Sequence, residues 1–327
     1  MGIFVGCAHV STTITRHCLA KVHENGQNSA MTHHPDILCI GSVLWDIIGR
    51  APVHMRHGSD VPGRITRLPG GVALNIAMTL ARFGVRPALL SAVGRDPEGD
   101  ELIGACQSLG MITDHIYRSE DLPTDRYMAV EGANGLIAAI ADAHSLEAAD
   151  EKILRPMENG TLGDRLAPYQ GPIALDGNLT QRLLEKIAHS PLFENADLRV
   201  APASPGKAER LAPFMTHERA TLYVNLEEAG LLCQRTFDTS AQAAAGLLER
   251  GACRALVTDG GRSASDASPK GILTQTPPNV LVTRVTGAGD TFMAAHIASE
   301  ISGASRDDAL SRALQAAANY VSGGDAK

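Results

Sequence analysis

The sequence has no pair of closely spaced cysteines, no excess of basic residues and no long apolar run. Its six cysteines are scattered, which predicts reduced thiols in a cytoplasmic protein rather than disulfides or a metal site. A net charge of −7 disfavours nucleic acid or an anionic membrane as the main partner. No apolar run approaches the roughly 20 residues of a membrane-spanning helix. What remains is a globular protein that can bind a small molecule, with 44% apolar residues to build its core.

Short apolar runs that end in small or polar residues alternate with helical patterns along the chain. Such runs are typical of buried parallel strands, whose functional groups lie at their carboxyl ends. We therefore predict an α/β fold that is doubly wound, with a mostly parallel central sheet flanked by helices. The predicted strands are residues 36–41, 87–94, 172–176, 198–204, 221–225 and 255–260, and residues 262–271 are expected in a surface hairpin or loop.

Two segments, residues 46–69 and 115–142, interrupt this alternation. Alternating polar and apolar residues and a turn at Gly132–Gly135 predict a small antiparallel sheet, which we expect to form a lid over the main domain. An exposed apolar face on such a sheet would allow a homodimer through the lid. We expect one domain over residues 35–327, with residues 1–34 as a disordered or dispensable extension.

Two common phosphate-binding motifs are missing, and a different glycine-rich stretch takes their place. The chain has no Gly-x-x-x-x-Gly-Lys-Ser/Thr loop, and no Gly-x-Gly-x-x-Gly follows its first predicted strand. Instead, Gly287, Ala288, Gly289 and Asp290 separate a β-type run from a helix, so that free helix amides can bind an anion. The helix end is expected to keep Asp290 charged and ready to accept a proton. These are the two requirements of phosphoryl transfer, although a glycine-rich helix start capped by Asp290 is the alternative interpretation.

Two further stretches carry groups that suit a polyol. Asp46 follows the first strand and can accept two hydroxyl hydrogen bonds. The pair Gly70 and Gly71 allows close approach of the backbone, and Asn75 on the next helical turn offers a donor and an acceptor. Each feature alone is equally consistent with an ordinary turn.

Residues 70–84 (GGVALNIAMTLARFG) and 285–298 (VTGAGDTFMAAHIA) resemble the two signatures of the ribokinase-like, PfkB-type carbohydrate and nucleoside kinases. The resemblance implies an ATP-dependent kinase that uses Mg²⁺ and phosphorylates a small sugar or nucleoside. It implies that Asp290 is the general base, that Gly287 to Gly289 form an anion hole, and that Asp46, Gly70, Gly71 and Asn75 hold the sugar.

Two shorter segments between these signatures also resemble the family. Residues 224–230 (VNLEEAG) are similar to its Asn-x-x-Glu motif, which implies that Asn225 helps to bind nucleotide and that Glu228 helps to hold magnesium through water. Residues 257–261 (VTDGG) resemble the strand end that supplies Thr258 and Gly260 to the nucleotide.

Residues 124–142, 175–180 and 200–211 resemble segments of the pseudouridine kinases within this family. On that resemblance Thr124 and Tyr127 face the base from the lid, Asn178 reaches the ribose, and the reaction transfers the γ-phosphoryl of ATP to a ribosyl 5′-hydroxyl. The alternative substrates are ribose, another nucleoside and a 2-keto-3-deoxy sugar acid. A sugar acid would require a cationic residue on the lid, and Arg126 meets that requirement.

The sequence departs from the family pattern at two places. Many members have an aspartate six residues before the catalytic one, where it helps to bind a monovalent cation; here this residue is Arg284, which argues against such a requirement. The sequence ends at Lys327, near where relatives continue over the adenine pocket, so a lower nucleotide affinity is expected. Both departures would suit a sugar- or nucleoside-binding sensor that has lost catalysis.

Overall fold

The computed structural model describes residues 34–56 and 58–324, so the predicted N-terminal extension lies almost entirely outside the described residues. The strands are β1 (Ile37–Ile40), β2 (Leu44–Arg50), β3 (Arg64–Gly70), β4 (Pro87–Leu90), β5 (Ala92–Gly94), β6 (Tyr117–Ser119), β7 (Arg126–Gly132), β8 (Gly135–Asp142), β9 (Pro172–Asp176), β10 (Asp197–Ala201), β11 (Ala220–Asn225), β12 (Arg254–Thr258), β13 (Ala264–Ser268) and β14 (Gly271–Gln275). The α-helices are α1 (Val72–Arg82), α2 (Pro97–Ser108), α3 (His144–Ala149), α4 (Gln181–His189), α5 (Leu226–Cys233), α6 (Ser240–Glu249), α7 (Ala288–Ile301) and α8 (Arg306–Val321). Short 3₁₀ helices occupy Asp150–Met157, Pro191–Phe193 and Pro205–Phe214. Within the described ranges no helix is both long and apolar enough to cross a membrane.

The main sheet has eight strands in the order β14-β13-β12-β11-β10-β9-β1-β4. Its six strands from β12 to β4 run parallel, and β13 and β14 extend it antiparallel. Strand β1 shows why the sheet is buried on both faces: Leu38 and Ile40 point into one apolar core, and Ile37 and Cys39 point into the other. The predicted doubly wound α/β fold is confirmed.

Two strand predictions were wrong in detail. Residues 87–94 do not form one strand, because the chain leaves the main sheet at Ser91 and β5 pairs with β6 in a separate two-stranded sheet. The segment expected to form a surface hairpin or loop does form a hairpin, but its first strand, β13, is buried in the main sheet. This strand tolerates burial because its polar side chains are paired: Asp266 contacts Arg254 at 2.7 Å and Arg306 at 3.0 Å.

The small sheet comprises four strands in the order β3-β2-β7-β8. Its outer pairs are antiparallel, as predicted, and Gly132 and Gly135 close the hairpin between β7 and β8. The central pair of β2 and β7 is parallel. Its register places Asp46 beside Tyr127, so residues from two distant segments share one row of the sheet.

The parallel register also aligns polar residues, among them the predicted site residues Asn225 and Thr258, at one edge of the main sheet. Asp176 at the end of β9 pairs with Ala201 on β10, and Asn225 at the end of β11 pairs with Thr258 on β12. Helix α7 packs against α1 beside this edge. The carboxyl ends of the strands and the amino end of α7 therefore converge, which is where ligands bind in open α/β sheets.

Candidate active site

The two signature stretches of the sequence meet through one hydrogen bond. Asn75 on α1 donates through Nδ2 to Oδ2 of Asp290 on the first turn of α7, at 2.9 Å. Both side chains are partly exposed, so the Asp290 carboxyl is not turned into the core and a ligand can reach it.

The start of α7 presents free main-chain donors at Gly289 and Asp290, whereas the N–H of Ala288, which we expected in the anion hole, donates to the Val285 carbonyl at 3.1 Å. Gly287 lies in the left-handed region with φ of 89°, and α7 begins at the next residue. The carbonyl of Gly287 accepts from Thr291, whereas the main-chain N–H groups of Gly289 and Asp290 have no acceptor among the described residues. The amides and the carboxyl of this turn are therefore available to a single ligand.

The charge state of Asp290 differs from the expectation based on the helix end. Burial raises the pKa of its carboxyl to about 7; the Asn75 hydrogen bond lowers it, and the carboxylates of Asp176, Asp46 and Glu228 raise it further. The favourable helix end is thus outweighed by desolvation and by negative charge from three neighbours. A carboxyl with a pKa near neutral pH is matched to proton transfer in either direction.

A buried aspartate that we did not predict to be a site residue organises the floor of the site. Asp176 is fully buried and accepts from the Ser42 N–H at 2.8 Å, the Ser42 hydroxyl at 2.9 Å, the Ala73 N–H at 3.0 Å and the Asn178 N–H at 2.7 Å. It thereby joins the ends of β1 and β9 to the start of α1. The available sequence signal was an aspartate at the end of a buried strand, but the sequence did not reveal which groups would donate hydrogen bonds to it.

The predicted sugar-binding glycines lie where side chains do not fit. A Cβ added to Gly70 would lie 2.0 Å from Oδ2 of Asp46, and one added to Gly71 would lie 2.5 Å from the Ser42 carbonyl oxygen. Gly71 also has a φ of 98° and precedes α1 directly. Burial raises the pKa of Asp46 to about 6. Gly70 therefore allows the chain to pass next to the Asp46 carboxyl, and Gly71 allows it to pass next to Ser42.

The two predicted lid residues have different surroundings. Tyr127 is partly exposed beside Asp46, whose charge, after burial, raises the pKa of the phenol. Thr124 is only 1% exposed, and its hydroxyl donates to Asp96, the N-cap of α2, at 2.6 Å. Thr124 therefore does not face a bound base, which contradicts our prediction for this residue.

Asn178 is partly exposed and takes part in a chain of polar side chains that ends at a lysine. Its Nδ2 donates to the Ser42 hydroxyl at 2.9 Å, and its Oδ1 accepts from the ammonium of Lys207. Burial, and then the positive charge of Arg210, lower the pKa of Lys207. The charges of Asp176 and Glu147 raise this pKa but only partly offset the lowering, and no ion pair to a carboxylate joins this ammonium among the described residues. Lys207 thus brings an unpaired positive charge to a site that is otherwise rich in carboxylates.

Asn225 and Glu228 form the N-terminal cap of α5. The Glu228 N–H donates to Oδ1 of Asn225 at 2.9 Å, and the Asn225 N–H donates to Oε2 of Glu228 at 2.8 Å. One polar atom of each side chain, Nδ2 of Asn225 and Oε1 of Glu228, has no partner in the described part of the chain. Asn225, Thr258 and Gly260 line a cavity of about 880 Å³ at the ends of β11 and β12.

The described residues contain no group of three or more ligands that could hold a metal ion alone. Mg²⁺ commonly binds through one or two carboxylates together with water and substrate phosphates, so this arrangement fits a magnesium ion that arrives with a nucleotide. The unpartnered Oε1 of Glu228 is a suitable oxygen for a bound water.

The fold and the site together define a ribokinase-like α/β protein. A solved structure of Arabidopsis thaliana ribokinase complexed with ribose and ATP superimposes with a TM-score of 0.70, covering 89% of this chain and 94% of that one at 20% identity. The chain belongs to the pfkB family of carbohydrate kinases, whose family model matches residues 34–326. The resemblance seen in the two signature stretches is therefore confirmed.

Two Escherichia coli (strain K12) proteins are similar over most of their length. The uncharacterized sugar kinase YeiI is 28% identical over 312 residues, covering 93% of this chain and 83% of that protein. A pseudouridine kinase is 28% identical over 264 residues, covering 79% of this chain and 81% of that protein. This chain is thus a sugar or nucleoside kinase, and kinases of this fold use ATP.

Proposed function

We propose that this protein transfers the γ-phosphoryl group of ATP to the 5′-hydroxyl of a ribosyl substrate, and that the substrate is pseudouridine. One observation carries the reaction type: the Asp290 carboxyl and the free amides of Gly289 and Asp290 lie on one helical turn. A carboxylate that accepts the hydroxyl proton and amides that bind the transferring group are then within reach of the same reacting atoms.

The surrounding residues have distinct roles in this proposal. Asn75 orients the Asp290 carboxyl and lowers its pKa, which keeps part of it ionised at neutral pH. The ammonium of Lys207 offsets the negative charge that the phosphoryl group brings into an acidic site. A magnesium ion would neutralise charge on the nucleotide phosphates, and Glu228 would hold it through water. Asn225, Thr258 and Gly260 would contact the nucleotide at the edge of the cavity.

The small sheet acts as the lid in this proposal. Asp46 on β2 of this sheet and Asn75 on α1 hold sugar hydroxyls, and Tyr127, beside Asp46 on β7, offers its ring to the base. Closure of this sheet would exclude water and so suppress hydrolysis of ATP. Asn178 would reach the ribose through the amide atoms that now contact Ser42 and Lys207.

The substrate class rests on the relatives and on the charge of the lid. One of the relatives that match most of this chain is a pseudouridine kinase, which covers 79% of it. A sugar acid would require a free cation on the lid, but Arg126 is paired with Glu98 at 2.5 Å. That ion pair gives Arg126 a partner other than a substrate carboxylate, although with side chains 42% and 39% exposed it is a weak one. We place the reaction in the cytoplasm, in keeping with the scattered cysteines.

The test is a substrate panel with ATP and Mg²⁺, with the products read by mass spectrometry. We expect a phosphorylated product from pseudouridine, slower reactions with uridine and ribose, and none with a keto-deoxy sugar acid. Asp290→Asn is the matched control for contaminating kinases. A preference for ribose would refute the proposed substrate, and ligand-dependent melting shifts without any product would identify a binding protein instead.

A further inference from the structure

The segment that leads into α7 runs against the C-terminal turn of α8. The main-chain N–H groups of Thr283 and Arg284 both donate to the Val321 carbonyl, at 2.8 and 3.2 Å. The Arg284 side chain donates through Nε to the Tyr320 carbonyl at 2.7 Å and through Nη2 to the Gly324 carbonyl at 2.9 Å. The last carbonyls of a helix have no partners inside the helix, so this distant segment caps α8.

Two further interactions stabilise the Arg284 guanidinium at this position. It lies over the Tyr320 ring, 3.8 Å from the centroid, where a cation is attracted to the ring face. It also sits at the negative end of the α8 dipole, where a positive charge is favoured. A single side chain therefore combines two hydrogen bonds, a ring contact and a helix-end charge interaction.

Tyr320 connects this arrangement to the anion-binding turn. Its hydroxyl donates to the Thr286 carbonyl at 2.9 Å. A Cβ added to Gly287 would lie only 2.6 Å from the same hydroxyl oxygen, so the tyrosine packs directly on the residue that begins the turn. The free amides of Gly289 and Asp290 follow within one helical turn. Arg284 and Tyr320 thus fix residues 284–287 from both ends.

We propose that Arg284 and Tyr320 form a clamp that positions the anion-binding amides of α7, and that the guanidinium is a built-in cation that makes turnover independent of monovalent cations. The proposal rests on the proposed kinase function. Main-chain carbonyl oxygens at the negative end of a helix attract cations, and carbonyl oxygens also coordinate potassium ions. In this chain the guanidinium already occupies those carbonyls, so no external ion is required there.

The experiment compares Arg284→Ala, Arg284→Lys and Tyr320→Phe with the intact chain. Arg312→Ala is the matched control, because it removes the same charge from an exposed position on α8, the helix that Arg284 caps. The kcat and the KM for ATP are measured in potassium chloride and in tetramethylammonium chloride at equal ionic strength. ADP binding is measured by calorimetry in the same two salts, which gives a readout that does not depend on the sugar substrate.

We expect the intact chain and Arg312→Ala to turn over equally in both salts. Arg284→Ala should lose about tenfold in kcat, because a small displacement of positioned donors weakens transition-state stabilisation, and potassium should restore part of that loss. Arg284→Lys keeps the charge but loses the hydrogen bonds to two separate carbonyls, so its kcat should lie between those of the intact chain and Arg284→Ala. Tyr320→Phe keeps the ring contact but releases Thr286, and should lower both kcat and ADP affinity by a smaller factor.

The clamp is refuted if Arg284→Ala matches Arg312→Ala in kcat and in ADP affinity. Equal activity of Arg284→Ala in the two salts, or a potassium requirement of the intact chain, refutes the built-in cation. If Arg284→Ala fails to fold, wild-type behaviour of both Arg284→Lys and Tyr320→Phe still refutes the clamp. Absence of any ribosyl product from the intact chain would instead refute the proposed function, while the ADP affinities of the variants would still decide the clamp.

Discussion

Replacing Asp290 by asparagine should abolish most turnover and yet stabilise the fold at neutral and alkaline pH. The amide cannot accept the hydroxyl proton, so kcat should fall by roughly 10² or more. The folded-state pKa of about 7 lies above the ordinary value of 3.8, which means that ionisation of Asp290 costs the folded state free energy. At about 1.4 kcal/mol for each pKa unit the cost is at most about 4 kcal/mol, and partial exposure of the carboxyl reduces it to about 2 kcal/mol.

The pH dependence of this gain gives a clear test. Below the unfolded pKa the carboxyl is protonated in both states and asparagine confers no advantage; the advantage grows as the pH rises and is complete above the folded pKa of about 7. Thermal unfolding should therefore show a Tm increase of about 4 °C at high pH that vanishes in acid. Asp121→Asn, at an exposed site, is the control. A Tm equal to that of the intact chain at high pH, or near-normal turnover, would refute the reasoning.

Two other predictions concern the partners of Asp290. Asn75→Ala removes a hydrogen bond that lowers the pKa of Asp290, so the acidic limb of the kcat profile, expected near pH 7 in the intact chain, should move to higher pH; an unmoved limb in rate measurements across pH would show that Asp290 is not the titrating base. Lys207→Met should lower kcat by about 10² under saturating ATP, because it removes positive charge from an acidic site, and Lys207→Arg should retain more of the rate. Equal rates for both variants would mean that the charge of Lys207 is not used.

The sequence was informative where function depends on local chain geometry. Glycines before a helix predicted the free amides around Gly289 and the tight approach at Gly71, because both follow from backbone conformation alone. The alternation of buried runs and helical patterns predicted the sheet, and the carboxyl ends of parallel strands then had to share one edge. Asn225 and Thr258 are paired for that reason.

The errors arose where burial depends on partners far away in the chain. Asp176 and Ser42 bond across 134 residues, and no spacing rule reports such a contact. Thr124 was assigned to the lid on the resemblance of residues 124–142 to pseudouridine kinases, but β7 begins two residues later and the Thr124 hydroxyl donates to Asp96. Strand β13 looked like a surface segment because it is short and polar, and only arginines from β12 and α8 make Asp266 tolerable in the interior.

The hydrogen bond between Asn75 and Asp290 has a consequence for biosynthesis, because the two residues are 215 positions apart. At the roughly 5–20 residues per second of a ribosome, Asn75 is added about 10 to 40 s before Asp290. Throughout that interval the nascent chain cannot consume ATP, and the apolar side of α1 that will meet Phe292, Met293 and Ile297 has no cover. Chaperones that shield exposed apolar surface would be needed most in that interval, and activity would begin only once α7 has docked.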